Sequence, residues 1–122
     1  MGSKADYYEN EVLHHLLDAN AYLALDTVAA NDAGTATEVS GGSYARQNVS
    51  GLFTISGNQA TSPQVSFPVA SADWGAINGW RIMDAATGGN CKYYGTFGTP
   101  IQTVLSGNQL IVPAACITIT ED

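Results

Sequence analysis

Positive charge is the scarcest property of this chain. Only four of its 122 residues are Lys or Arg, against eleven Asp or Glu, which gives a formal net charge of −7. The four cations, Lys4, Arg46, Arg81 and Lys92, are scattered along the sequence. A nucleic-acid binder needs a basic stripe that displaces counterions from phosphates, and this chain cannot build one. An anionic membrane surface is disfavoured on the same ground. Charged residues of both signs together make up 12%, about half the roughly 25% of an ordinary domain. The polar surface therefore falls to Thr, Ser, Asn, Gln and Gly. That mixture favours strands and turns over solvent-exposed helices.

Long apolar runs are missing too, and none approaches the ~18 residues that a membrane-spanning helix requires. The first twenty residues hold Asp6, Glu9, Glu11 and Asp18. A signal peptide keeps an uninterrupted apolar core there, so synthesis in a cytoplasm is expected. Histidine and cysteine occur twice each. His14 and His15 are adjacent, and neighbours on a helix point about 100° apart, so they cannot share one metal ion. Neither is well placed for a Ser-His-Asp triad, and no nucleophile-elbow motif is present. Cys91 and Cys116 fit no metal spacing. Each lies in an apolar run, NCKYYGTF and PAACITIT, and reads as a buried free thiol. A disulfide between adjacent strands is the other reading. The expected catalytic, cofactor-binding and metal-binding residues are accordingly none, and no cofactor is implied.

What is present is enough apolar material for one core, with 45% hydrophobic residues in a chain of single-domain length. SKADYYENEVLHHLLDAN reads as an amphipathic helix. Ser3 is its candidate cap, with Asp6 at the positive end of the helix dipole. Tyr8, Val12 and Leu16 form its stripe, broadened by Leu13 and Leu17. Asn20 is the expected left-handed stop. Glu11 with His15 and His14 with Asp18 make i,i+4 pairs.

Beyond Asn20 the hydrophobic period falls from 3.6 to 2. Strands are expected at 21–28, 43–49, 52–56, 64–70, 77–85, 91–97, 101–105 and 110–120, with Gly- and Asn-rich turns between them. Pro68 cannot donate to a ladder and makes 64–70 an edge strand or a strand end. Alternation sets Trp80 against Arg81, with Trp80 expected to face inward. The fold class that follows is mainly β: a single-domain antiparallel β-sandwich or barrel of about eight short strands, with one N-terminal α-helix. Residues 1–20 form a helical arm and residues 21–122 the β-sandwich domain.

Three constellations invite chemistry. Gly41–Gly42 could cradle an anion, but no helix and no Lys-Ser/Thr pair follow, so the pair reads as a turn into a strand. Asp26, Asp32 and Glu38 bracket an acidic loop whose spacing matches no EF-hand, and a solvated loop is the default over calcium binding. Trp74 and Trp80 with Tyr44, Tyr93 and Tyr94 could form a carbohydrate platform, against the commoner fate of filling a core. In the expected strand 43–49, Tyr44 and Arg46 fall on the same face, and Arg46 is expected to pair with a carboxylate in its own subunit or a neighbour.

The stretches YLALDT, DAGTATEVSGGSYARQNV, SFPVASADWGAINGWRIMDAATGGN and SGNQLIVPAACITIT, in that order, resemble a family of small tailed-bacteriophage virion proteins often labelled tail fibre proteins. The resemblance spans about Ala21 to Thr120. It implies a non-enzymatic virion structural protein made in the bacterial host cytoplasm. Its partners would be other virion proteins, capsid or tail subunits, and self-association is expected. A fibre shaft needs repeats or a coiled coil, and this chain has neither. The leading expectation is therefore a capsid decoration (cement) protein or a small tail-associated knob. The alternative is a carbohydrate- or receptor-binding adhesin module of the tail.

Overall fold

Strand β1 (Tyr22–Val28) is the organising element. In the computed structural model, which describes residues 5–31, 33–97 and 103–120, it pairs antiparallel with three others. These are β2 (Thr37–Glu38), β3 (Gln47–Asn48) and β8 (Gly79–Met83). Strand β9 (Cys91–Thr96) extends the sheet beyond β8. Three smaller antiparallel sheets complete the β structure: β4 (Thr54–Ser56), β5 (Gln59–Thr61) and β12 (Thr118–Thr120); β6 (Val65–Val69) with β11 (Gln109–Val112); and β7 (Gly75–Ala76) with β10 (Thr103–Val104). Among the described residues the architecture is mainly β and sandwich-like, with one helix and no closed barrel.

Helix α1 (Asp6–Leu17) starts after Ala5, which makes no side-chain cap. The proposed cap Ser3 lies outside the described residues. The buried stripe runs one position later than Tyr8, Val12 and Leu16. Leu13 and Leu17 are fully buried and Glu9 nearly so, while Tyr8 is 62% exposed. The apolar rows at 8-12-16 and 9-13-17 are adjacent on the helix. The core accepts the row with two leucines, whose burial contributes about 1.5–3 kcal/mol each. Both belong to the same core as Leu23, Leu25, Phe67, Ile82 and Ile117. Asn20 adopts the left-handed conformation, φ +51°. Lys92 then reaches back from β9 and donates to the carbonyls of Leu16 and Ala19, 2.7 and 3.0 Å. A cation is favourable at this end of the helix dipole.

Several expected strands change shape. The loop after β1 contains β2, and the link after Ser56 contains β5, a hairpin partner that turns at Gly57. The expected strand 110–120 splits in two. Pro113 ends β11, Ala115 takes φ +62°, and the Cys116 amide closes a turn onto the Pro113 carbonyl. Cys116 is therefore exposed and Cys91 half-buried, both as free thiols, and neither is the buried residue expected. In β6, Val65 and Phe67 are buried, but Val69 is 53% exposed. The β6–β11 register shifts between Gln109 and Ile111, which rotates the end of the strand outward. Among the described residues β6 pairs only with β11, in keeping with Pro68.

The turn 41–43 is a run of three left-handed residues: Gly41 (φ +76°), Gly42 (+59°) and Ser43 (+67°). The Gly42 carbonyl accepts the indole N–H of Trp74 (2.8 Å) and the amide of Ser71 (3.0 Å). A Cβ on Gly42 would stand 2.8 Å from Trp74 Nε1 and 3.0 Å from the Ala72 carbonyl, whereas one on Gly41 would meet nothing. Gly41→Ala should therefore cost the backbone term alone, roughly 1–2 kcal/mol. Gly42→Ala should add displacement of Trp74, for roughly 2–4 kcal/mol in all. Urea denaturation of the two variants checks the order. Equal losses would show that the indole contact is unimportant.

Candidate functional site

Register places the polar centre. In the ladders of β1, Asp26 lies opposite Glu38 on one side and opposite Gly79 on the other. Arg81, two residues along from Gly79, is the diagonal neighbour of Asp26. Two carboxylates directly opposite each other repel unless a cation stands between them. Arg81 supplies it. Its Nε donates to both Asp26 oxygens, 3.1 and 3.0 Å, and its Nη2 lies 3.0 Å from Oδ1. Nη2 also reaches Glu38 Oε1 at 3.4 Å, and Nη1 donates to the Gly34 carbonyl. Arg46 grips Glu38 from the other side as a fork: Nε to Oε2 and Nη2 to Oε1, both 2.8 Å. Its Nη1 donates to the carbonyls of Ala85 and Gly88. The Tyr44 hydroxyl donates to Glu38 Oε2 at 2.6 Å and accepts from the Leu25 amide.

Both arginine side chains are largely buried, 7% exposed for Arg46 and 8% for Arg81. The expectation that Trp80 rather than Arg81 faces inward is half right. Every residue of β8 is buried, because a strand inside the sheet has both faces covered. The expected pairing of Arg46 with a carboxylate holds within the chain. Tyr44 and Arg46 meet the same carboxylate, although only Gln47–Asn48 of the expected strand 43–49 pairs and both residues lie in the irregular stretch before it.

The stretch 38–46 also walls an open hollow of about 420 Å³, together with Ala86, Thr87 and Gly88. Its cation is Arg46, already held by four hydrogen bonds. Glu38 likewise receives four. Two carboxylates and two guanidiniums sum to zero charge, so the cluster has little field left for an anion or a cation. Asp26 and Glu38 point at arginines, not into a shared calcium position, and Asp32 lies outside the described residues. Trp74 (5% exposed) and Trp80 (6%) are core residues, and the platform drawn from them does not form. Trp74 packs edge-on against Tyr44 and Phe67. Tyr93, Tyr94 and the edge of Trp80 line a second hollow of about 310 Å³. His14 pairs with Asp18 at 3.0 Å on the exposed side of the helix.

Residues 3–120 match the family described as podophage GP4 fiber I protein gp80. The chain belongs to that family. It is a fibre-type, tail-associated structural protein of a bacteriophage particle. A search among curated proteins gives no match. The family's residues here include the whole network, from Asp26 to Arg81, and the turn that follows Glu38.

Sequence reasoning identified Arg46 and Tyr44 but missed Arg81 and Asp26 as partners. The signal was available in the sequence: an Arg inside an apolar strand, GWRIM, requires a buried carboxylate somewhere. Which carboxylate it takes depends on register, which only pairing reveals.

The network carries a pH signature. Burial alone would raise the pKa of Glu38, but the hydrogen bonds from Arg46 and Tyr44 and the charges of both arginines outweigh it and hold the group below its ordinary 4.5. Burial dominates at Asp26 and lifts it above the usual value despite Arg81. Burial, reinforced by the bond to Glu38, pushes the Tyr44 phenol well above its ordinary range. The signs differ at the two carboxylates. A depressed folded-state pKa gives stability that is present above pH 4.5 and lost as pH falls through the folded value. The raised Asp26 acts oppositely: its ionisation costs stability at neutral pH, and that cost is relieved on acidification. Glu38→Gln should therefore cost about 3 kcal/mol at pH 7 by stranding the buried Arg46 guanidinium, while Arg81 keeps Asp26. The gap from the parent should shrink as pH drops below 4.5. Denaturant titrations at neutral pH and at pH 3 check this, and a gap that stays constant would mean that Glu38 is not the titrating partner.

Proposed function

We propose that this chain is a non-enzymatic structural subunit of the phage tail, a compact knob or adaptor and not a length of fibre shaft. The observation that carries the reading is the saturated network. Glu38, Arg46, Arg81 and Asp26, the charged groups best placed for chemistry, are bonded to one another and to backbone carbonyls. They act as a cross-brace between β1, β2, β8 and the loop 84–90. The family match over residues 3–120 supports a place on the tail over a capsid decoration role. Synthesis in the bacterial host cytoplasm fits a virion component of this kind.

Attachment to neighbouring virion subunits falls to the outer side of α1. Tyr7 and Tyr8 are 68% and 62% exposed and stack edge-to-face with ring centroids 5.1 Å apart. Aromatic pairs of this kind are common anchors at protein interfaces. Removing residues 1–20 would be a poor test, because it takes Leu13 and Leu17 out of the core. Replacing both tyrosines by Ser leaves the core intact. The doubly substituted protein should fold with an unchanged melting temperature, and its incorporation into particles should fall about tenfold or more. Normal incorporation would remove the helix from the attachment surface.

Tyr94 favours a second reading, an adhesin that binds saccharide or receptor. It is 40% exposed on the rim of the second hollow, where both tryptophans are buried. A glycan array probed with the parent and with Tyr94→Ala separates the readings. Binding that the variant loses supports the adhesin, and no binding by the parent removes it.

A further inference from the structure

The charges of this chain are unevenly placed. All four Lys and Arg and all eleven Asp and Glu lie outside residues 47–72 and 93–120, and so do both histidines. The two charge-free segments are separated in sequence, and the fold brings them together. β4, β5, β6, β10, β11 and β12 are drawn wholly from them. β5 pairs with β4 and β12, and β6 with β11. The Ser62 amide donates to the Ile117 carbonyl, and the Ala115 amide to the Ser62 carbonyl. These bonds join β5–β12 to β6–β11 as one ribbon, 59–69 against 109–120, interrupted by the turn at 113–116.

One side of the ribbon is core, where Ala60, Phe67, Leu110, Val112 and Ile119 are buried. The other side is open. There Ser66 lies opposite Ile111 and Val69 opposite Gln109. The bulge in β6 brings Ser66 and Val69 to the same side although they are three residues apart. Further along, Thr54, Thr61 and Thr118 stand in register across β4, β5 and β12. Val69 and Ile111 are 53% and 42% exposed, and Leu52 and Leu105 add exposed apolar surface from the same segments. Asp73 stands at the end of the ribbon, where its carboxylate accepts the Ser106 amide. Charge at the rim and none at the centre is the anatomy of a protein–protein interface.

We propose that this charge-free face docks against the same face of a second copy of this chain. Charge decides the occupant. A partner drawn by a net charge of −7 would contact acidic residues, and the ribbon offers none. A second copy carries the same −7, so two copies approach at least cost where neither presents a charge. Hydroxyls such as those of Ser66 and Thr118 both donate and accept, so a surface of them complements itself, whereas a carboxylate surface only accepts. Pro68 and the bulge oppose lengthening of the sheet at β6, so the contact is face to face and not by strand addition. The inference goes beyond the tail-component reading, because it concerns contacts between copies and not the attachment of α1 to other subunits.

Sedimentation equilibrium of the intact chain, without the virion, tests it. Self-association should have a Kd of about 1–100 μM, as for a weak interface of standard size. Raising NaCl from about 0.05 to about 0.5 M should tighten it about threefold or more, because screening removes the remaining repulsion between acidic copies. Ile111→Glu and Val69→Glu should each weaken it about tenfold or more, with unchanged melting temperature, since each desolvates an unpaired charge at the contact. Ile111→Lys should weaken it as well, although it reduces the net charge. Val28→Glu alters a similarly exposed apolar residue outside the charge-free segments and should leave the Kd within about twofold. A chain that stays monomeric to about 1 mM would overturn the proposal and leave the face to a different protein. Association that weakens with salt would rest on ion pairs, and association that both Glu variants leave intact would use another surface. Either result would overturn it. So would tighter association of the Ile111→Lys variant, which would place that residue outside the contact. Incorporation of the Tyr7/Tyr8 variant into particles reads the helix alone and does not bear on this face.

Discussion

The fold depends on one electrostatic constraint: the register of β1 sets Asp26 directly opposite Glu38. Alone, that register is unfavourable, because opposed carboxylates on neighbouring strands repel. Arg81 makes it favourable by lying diagonal to Asp26 and touching both. Arg46 completes the neutralisation from the loop side. The arrangement works as a register key. Shifting β1 by one residue would turn Asp26 to the other face and strand Arg81 in an apolar interior, at a cost of several kcal/mol. Buried ion pairs often add little net stability over apolar packing of the same volume. Their value here lies in specifying one pairing among several that short, Thr- and Ala-rich strands would tolerate.

The same constraint shapes the surface. A protein with four cations places two of them inside and a third across the end of its helix. Most of the remaining ionisable surface is acidic, including Glu11, Asp18, Asp73 and Asp84. A field of one sign keeps copies apart wherever charged surfaces meet. The same few arginines therefore order the interior and leave the surface acidic. Their removal from the surface is as informative as their presence in the core.

Much of this was legible in the sequence, and the parts that were not share a physical cause. The Gly- and Asn-rich turns, Gly41–Gly42 above all, stood out because left-handed backbone is nearly a glycine property. The stretch SYAR placed Tyr44 and Arg46 on one face, and they do meet one carboxylate. The helix was clear, and Leu13 and Leu17 of its stripe are the buried residues, but the stripe was centred on Tyr8, Val12 and Leu16 and only the sheet beneath decides which part faces inward. β2 and β7 are two residues long. At that length no periodicity exists to read, and pairing comes entirely from the partner strand. Pro113 was visible in PAACITIT, yet the break it makes was not inferred, because Ile117 and Ile119 alternate well enough to mask it. Arg81 was the instructive miss. Alternation assumes that a strand has one wet face, and β8 has none.

Short strands carry a further consequence. Four small sheets have more edges than one large sheet of the same content, and each edge is an open ladder. The chain closes some of these with local devices. Pro68 and a bulge lie within β6, and β1 carries a bulge opposite Thr37–Glu38. Such devices act against unwanted pairing, so where they are missing is informative. β12 is flat over its three residues and in register with β5 throughout. Ile119 within it and Ile117 just before it are buried, and the Ile117 amide bonds Ser62 Oγ, so this strand is held to its sheet by packing as well as by a single ladder.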